Sequence, residues 1–191
     1  DPLLVLDSTT GETIARVSLQ WTIQPAGIAW IDDDRLFAGS FAGASEVRRQ
    51  LDGSWQPGRS IPGSFFSVRG TTPDGTVLAA DMSGYVVERS LVDGGKVREF
   101  ARLSDMATCT TLSPDGSMMA ASGTDRRLHV FDRSTGDQLL SLMGHARGRR
   151  VMSVDFSADG ERVLTLDNAG GLTIWDTRDL ARGTAGARAG Q

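Results

Sequence analysis

The sequence predicts an all-β fold: a β-propeller arc of about four blades, each a four-stranded antiparallel sheet, incomplete at both ends. Two observations carry this. Residues closing the third strand of a recurring unit fall at Leu6, Arg48, Arg89, Phe131 and Trp175, with spacings of 42, 41, 42 and 44. A hairpin turn, Asp-Gly, recurs at Asp74-Gly75, Asp115-Gly116 and Asp159-Gly160, with Asp32-Asp33 in the same place one unit earlier. Repeats of roughly 40–45 residues made only of short strands are the mark of propellers. The length of 191 residues would otherwise suggest one or two domains; the repeat makes it one modular array.

The units can be read strand by strand. The clearest spans residues 138–176. It opens with a short apolar strand from Gln138 to Met143, followed by Gly144-His145 and the basic loop 146–150. V-M-S-V-D-F from Val151 is the next strand, and Ser157-Ala158-Asp159-Gly160 turns it back. Asp-Gly between strand patterns signals a hairpin, because Gly accepts the positive φ that the turn requires. Gly75, Gly116 and Gly160 therefore have structural roles. Arg162 to Leu166 and Leu172 to Asp176 complete the unit. The whole chain gives about 17 strands: residues 3–7 and 13–19, three sets of four, and three ending at Asp176. Residues 1–180 are thus expected to form the partial propeller. Residues 181–191, without periodicity and poor in apolar side chains, are expected to be a disordered tail or linker.

Composition excludes little but is informative. The longest purely aliphatic run, Leu3 to Leu6, is far too short for a membrane helix. The first residue is Asp1, so a natural start and any signal peptide lie outside this sequence. A net charge of −4 gives no reason to expect nucleic acid. Of the 20 basic residues only Lys96 is a lysine, a bias that fits a GC-rich coding genome. Cys109 is alone, so no intrachain disulfide forms and a cytoplasmic setting is the default expectation.

The last unit, with Gly144-His145, S-A-D-G at Ser157 to Gly160 and Trp175-Asp176, resembles the WD-repeat family. The preceding unit has S-P-D-G at Ser113 to Gly116 and Phe131-Asp132 in place of Trp-Asp. Before it come T-P-D-G at Thr72 to Gly75, then I-D-D-D at Ile31 to Asp34. The resemblance covers residues 3–177 and fades toward the N-terminus. It implies that each repeat supplies the outer strand of one blade and the three inner strands of the next. It also implies a tetrad of His, Ser or Thr, Asp and Trp that stiffens a blade. His145 and Trp175 match that tetrad as structural residues, but Ala169 stands where its Asp is expected, so no unit is expected to hold a complete set.

An open arc leaves an apolar sheet face uncovered at each end. Some five large apolar side chains per face would leave a deficit on the order of 10 kcal/mol. That rivals the stability of a typical domain. Closure is therefore expected, by the remaining blades of a larger parent or by a second copy. A four-bladed ring, with residues 13–19 as the outer strand of the last blade, is the compact alternative; it leaves residues 3–7 surplus.

Candidate chemistry is sparse. No catalytic residue, cofactor site or metal site is expected. His129 and His145 lie on different strands without ligands at zinc spacing. The side chains of Asp32, Asp33 and Asp34 diverge in a tight hairpin. The enzymatic alternative, a quinoprotein- or lactonase-like propeller, starts from D-S-T-T-G-E at Asp7 and D-R-S-T-G-D at Asp132. The innermost strands, however, offer only Arg69 and Asp155 to a central channel. The favoured expectation is a non-catalytic scaffold binding protein or peptide, neither nucleic acid nor membrane. Resemblance implies the docking or sensing portion of a larger bacterial signalling protein. Candidate contacts are the rim residues Arg147, Arg149, Arg150, Asp125, Asp167 and Asn168. The three guanidinium groups, with a flexible Gly148 between them, suit carboxylates or phosphates; a merely solvated loop is the competing reading.

Overall fold

A computed structural model describes residues 3–19, 25–40, 43–65, 67–72 and 74–178. Among the described residues the elements are strands. β1 (Leu3–Leu6) and β2 (Thr13–Val17) form a two-stranded sheet. Three four-stranded sheets follow: β3 (Pro25–Asp32), β4 (Arg35–Ser40), β5 (Gly43–Arg49), β6 (Trp55–Ile61); β7 (Ser67–Thr71), β8 (Thr76–Ala80), β9 (Tyr85–Ser90), β10 (Lys96–Arg102); β11 (Ala107–Leu112), β12 (Met118–Gly123), β13 (Arg127–Asp132), β14 (Gln138–Met143). β15 (Val151–Phe156), β16 (Arg162–Asp167) and β17 (Leu172–Asp176) form the last, three-stranded sheet. All pairings are antiparallel between sequence neighbours. The 17 strands among the described residues, and their grouping, agree with the expectation of about 17. The tail 181–191 lies outside the described residues.

The sheets stack face to face, with one apolar cluster at each junction. Val17, Leu36, Ala38 and Val47 join the first two sheets. Phe37, Phe65, Val68 and Val77 join the second pair. Leu78, Leu103, Met119 and Phe131 join the third pair, and Met118, Val130, Val154 and Val163 the last. Burial along the strands follows from this stacking. β8 and β12, covered on both sides, are buried at every position and rich in Ala, which lets neighbouring sheets approach. β16, in the terminal sheet, alternates strictly: Val163, Thr165 and Asp167 face inward while Leu164 and Leu166 face solvent.

The uncovered faces expected at the ends are present. Leu172 and Ile174 of the last sheet are 65% and 71% exposed, and Ile28 and Trp30 of β3 are 55% and 59% exposed. The four-bladed ring does not form. β2 pairs with β1, Leu3 opposite Val17, instead of completing the last sheet.

One marker is corrected. Arg89, Phe131 and Trp175 pair with Val77, Met119 and Val163. The residue in the same register of the earlier sheet is Val47, opposite Leu36, and not Arg48. Side chains alternate along a strand, so a one-residue slip changes face: Val47 is fully buried while Arg48 points out beside Glu46.

Candidate protein-interaction site

Antiparallel sheets in one orientation give the arc two rims. On the hairpin rim lie the turns β3–β4, β5–β6 and their equivalents in the later sheets. On the loop rim lie the turns β8–β9, β12–β13, β16–β17 and the links from each outer strand to the next innermost strand. Repeated backbone bonds fix both rims. Arg49, Leu91, Arg133 and Thr177 donate across the hairpin rim to Asp34, Gly75, Ser117 and Glu161. On the loop rim, Leu103 N donates to Gly84 O, Thr124 N to Met106 O, and Asn168 N to Arg150 O.

Hairpin-rim acids are consumed by folding. In S-P-D-G, Asp115 Oδ1 accepts from Ser117 N and Ser113 Oγ, Met118 N donates to Ser113 Oγ, and Gly116 adopts φ 68°. Asp159 repeats this with Glu161 N and Ser157 Oγ. The two Asp-to-Thr-Gly motifs that prompted the enzymatic alternative are one and the same turn. Asp7 Oδ1 accepts Thr9 N and Thr10 N; Asp132 Oδ1 accepts Ser134 N and Thr135 N. Those carboxylates sit on the hairpin rim, away from the innermost strands. Asp155 accepts Phe156 N and Thr111 Oγ1.

Between the third and fourth sheets, Arg133 Nη2 reaches across to Glu88 Oε1 at 2.7 Å and Asp74 Oδ2 at 3.2 Å. Glu88 is buried and also accepts a short hydrogen bond from Thr76 Oγ1. One sheet earlier Glu46, fully buried, faces Arg35, Arg48 and Arg59 within 3.6 Å. Each charge cluster neutralises a buried carboxylate between strands.

The last sheet holds a complete tetrad, which corrects the expectation that none exists. Trp175 Nε1 donates to Thr165 Oγ1 at 2.9 Å, His145 Nε2 lies 2.7 Å from the same hydroxyl, and His145 Nδ1 is 3.1 Å from Asp167 Oδ2. The acid is Asp167, two residues before Ala169, because the last position of β16 faces inward while Ala169 sits in the turn. Asp167 Oδ1 also accepts Ala169 N and Gly171 N. Those two backbone donors, then His145, hold its carboxyl down to about 2. Register places Ala121 and Phe131 at the corresponding site of the fourth sheet, where they are buried with Leu103 in one apolar cluster. Polar brace and apolar plug are alternative fillings of one inter-sheet site.

The candidate contacts thus divide. Asp167 is buried in the tetrad. Asp125 accepts Arg127 N and pairs with His129 Nε2 at 2.7 Å, its side chain 5% exposed. Both are occupied within the fold. Asn168 is exposed and clamps the loop, its Oδ1 accepting Arg150 N at 3.1 Å. Arg147, Arg149 and Arg150 are exposed, and their guanidinium groups bond to nothing among the described residues. Gly148 is not a flexible spacer: Arg149 N donates to Ala146 O and Gly148 takes φ 80°, a closed turn. Sequence reasoning missed Arg126, whose φ of 66° makes it the single non-glycine with positive φ among the described residues. Gly84 and Gly170 take that place in the sister turns, with φ 85° and 83°. Aligning the three turns would have revealed it.

Among the described residues no helix is long and apolar enough to cross a membrane. Nor do three or more metal-ligating side chains gather there. No curated protein matches the chain. The family model described as WD domain, G-beta repeat matches residues 100–132, which span the end of β10, the following link and β11–β13, and residues 136–176, which span β14 and the last sheet. That match, the repeated four-stranded sheets and the tetrad of Trp175, Thr165, His145 and Asp167 make residues 100–132 and 136–176 similar to WD repeats, which generally mediate protein–protein interaction.

Proposed function

We propose that this chain is a non-catalytic platform for protein or peptide binding, and that the loop rim of its last two sheets is the contact surface. The observation that carries this reading is the difference between the rims. Hairpin-rim polar groups close turns, whereas the Arg147, Arg149 and Arg150 guanidinium groups have no such task and stand on a turn that is already closed. A stiff frame displaying such a loop avoids much of the ordering cost of binding. The platform serves as the docking or sensing arm of a larger cytoplasmic signalling protein of bacterial type, with the aliphatic end faces covered by further blades or a second copy.

The test is affinity capture with the chain and with a variant whose residues 146–150 are replaced by Gly and Ser. Loss of the captured proteins in the variant supports the reading. An identical set of captured proteins refutes the loop rim as the contact surface. The Asp7 and Asp132 turns give no support to a channel enzyme, since their carboxylates are spent on backbone donors of the hairpin rim.

A further inference from the structure

The basic loop is one part of a larger charge asymmetry. On the hairpin rim every turn carries acid, among them Asp33, Asp52, Asp74, Asp93, Asp115 and Asp159. On the loop rim the acids are fewer, and Asp81, Asp125 and Asp167, like the acids of the hairpin rim, accept backbone donors of their own turns. Asp105 does the same for Met106 N. What projects from that rim in the last two sheets is arginine: Arg126 from the β12–β13 turn, and Arg147, Arg149 and Arg150 from the β14–β15 loop. The two segments are neighbours. Arg127, next to Arg126, pairs in register with Met143, the last residue before that loop. Thr108 Oγ1 ties β11 to Val151 O where the loop ends.

Arg126 adds an independent sign. Its left-handed backbone suits glycine, which the sister turns use, and a side chain there is disfavoured. Folding gains nothing visible in return: the Arg126 guanidinium meets no acceptor among the described residues. Strain kept at a half-buried, charged rim position whose guanidinium has no acceptor of its own points to a ligand.

We infer that Arg126, Arg147, Arg149 and Arg150 form one anion-reading surface whose partner is a short acidic segment of another protein; this rests on the interaction reading above. Guanidinium forks bind carboxylate and phosphate alike. The segment is short because the body as a whole is acidic, with net charge −4. A segment confined to the rim sees the arginines within about one Debye length, roughly 8 Å at physiological salt. A long polyanion would also meet the acidic remainder.

The test uses the full chain and fluorescence anisotropy with labelled peptides: one rich in Asp and Glu, a serine-containing peptide with and without phosphate, and single-stranded DNA of similar length. The expected result is binding of the acidic or the phosphorylated peptide, weakened by salt; the pair shows which anion is preferred. The triple variant R147E/R149E/R150E should abolish it. R126G should weaken it about tenfold, the scale of one charge-assisted contact, while raising the melting temperature. R162E, one such charge reversal placed on the hairpin rim, should leave binding intact. Failure of both anionic peptides to bind overturns the proposal, as does DNA binding more tightly than either, or R162E acting like the loop variant. If no peptide binds yet protein capture still depends on residues 146–150, the platform reading stands and the acidic partner falls.

Discussion

Thr165→Val tests whether the tetrad braces the last sheet. Valine keeps the shape and the β-branch but removes the hydroxyl that serves both Trp175 Nε1 at 2.9 Å and His145 Nε2 at 2.7 Å. His145 is buried, so its nitrogen loses its only partner without access to water. An unsatisfied buried polar group costs about 1–3 kcal/mol. Trp175 is part-exposed, so its N–H can recover water and loses roughly 0.5–1.5 kcal/mol. The extra methyl returns about 0.8 kcal/mol of apolar burial. The expected net loss is about 2 kcal/mol. It should be read by urea unfolding as a lower midpoint with unchanged slope, and by hydrogen exchange as faster opening of β15–β17. A loss below about 0.5 kcal/mol, the range of ordinary surface substitutions, would refute the bracing role.

Other expectations follow from the same geometry. Ala121→Thr puts a hydroxyl into the apolar version of that site, between Leu103 and Phe131, and should destabilise by about 1–3 kcal/mol in thermal melts. The Asp167 carboxyl is held below its ordinary value when folded, so its stabilisation is complete above the unfolded value near 3.8 and drains away as pH falls toward about 2. Asp167→Asn should flatten the acid limb of a stability–pH curve in that window. Arg133→Met removes the cation from buried Glu88 while keeping the stem, and should cost about 2–4 kcal/mol by denaturant unfolding. Gly116→Ala meets no atom within 4 Å but must hold φ 68°, so it should cost about 1 kcal/mol. Gly144→Ala should cost more, because its methyl would lie 2.3 Å from the Trp175 ring.

Periodicity made the fold legible. Turns such as S-P-D-G are local chemistry: Asp115 and Gly116 close their hairpin whatever packs above it, so strand count and grouping could be read along the chain. The tetrad was only half legible. His145 and Trp175 stand out by type, but Asp167 is the tetrad acid because the inward face of β16 carries Val163, Thr165 and Asp167, and a face is set by register. The same rule moved the repeat marker from Arg48 to Val47.

Sequence alone determined that this chain is a series of small antiparallel sheets, because hairpin turns and alternating apolar residues are encoded over a few neighbouring positions. Tertiary structure alone decided which charges are spent and which are free. Asp125 and Asp167 look in sequence as available as Arg147 and Arg149, yet the acids are buried against His129 and His145 while the arginines stand clear. The reason is that a side chain's partners come from strands brought together by stacking, at distances along the chain that no local pattern records.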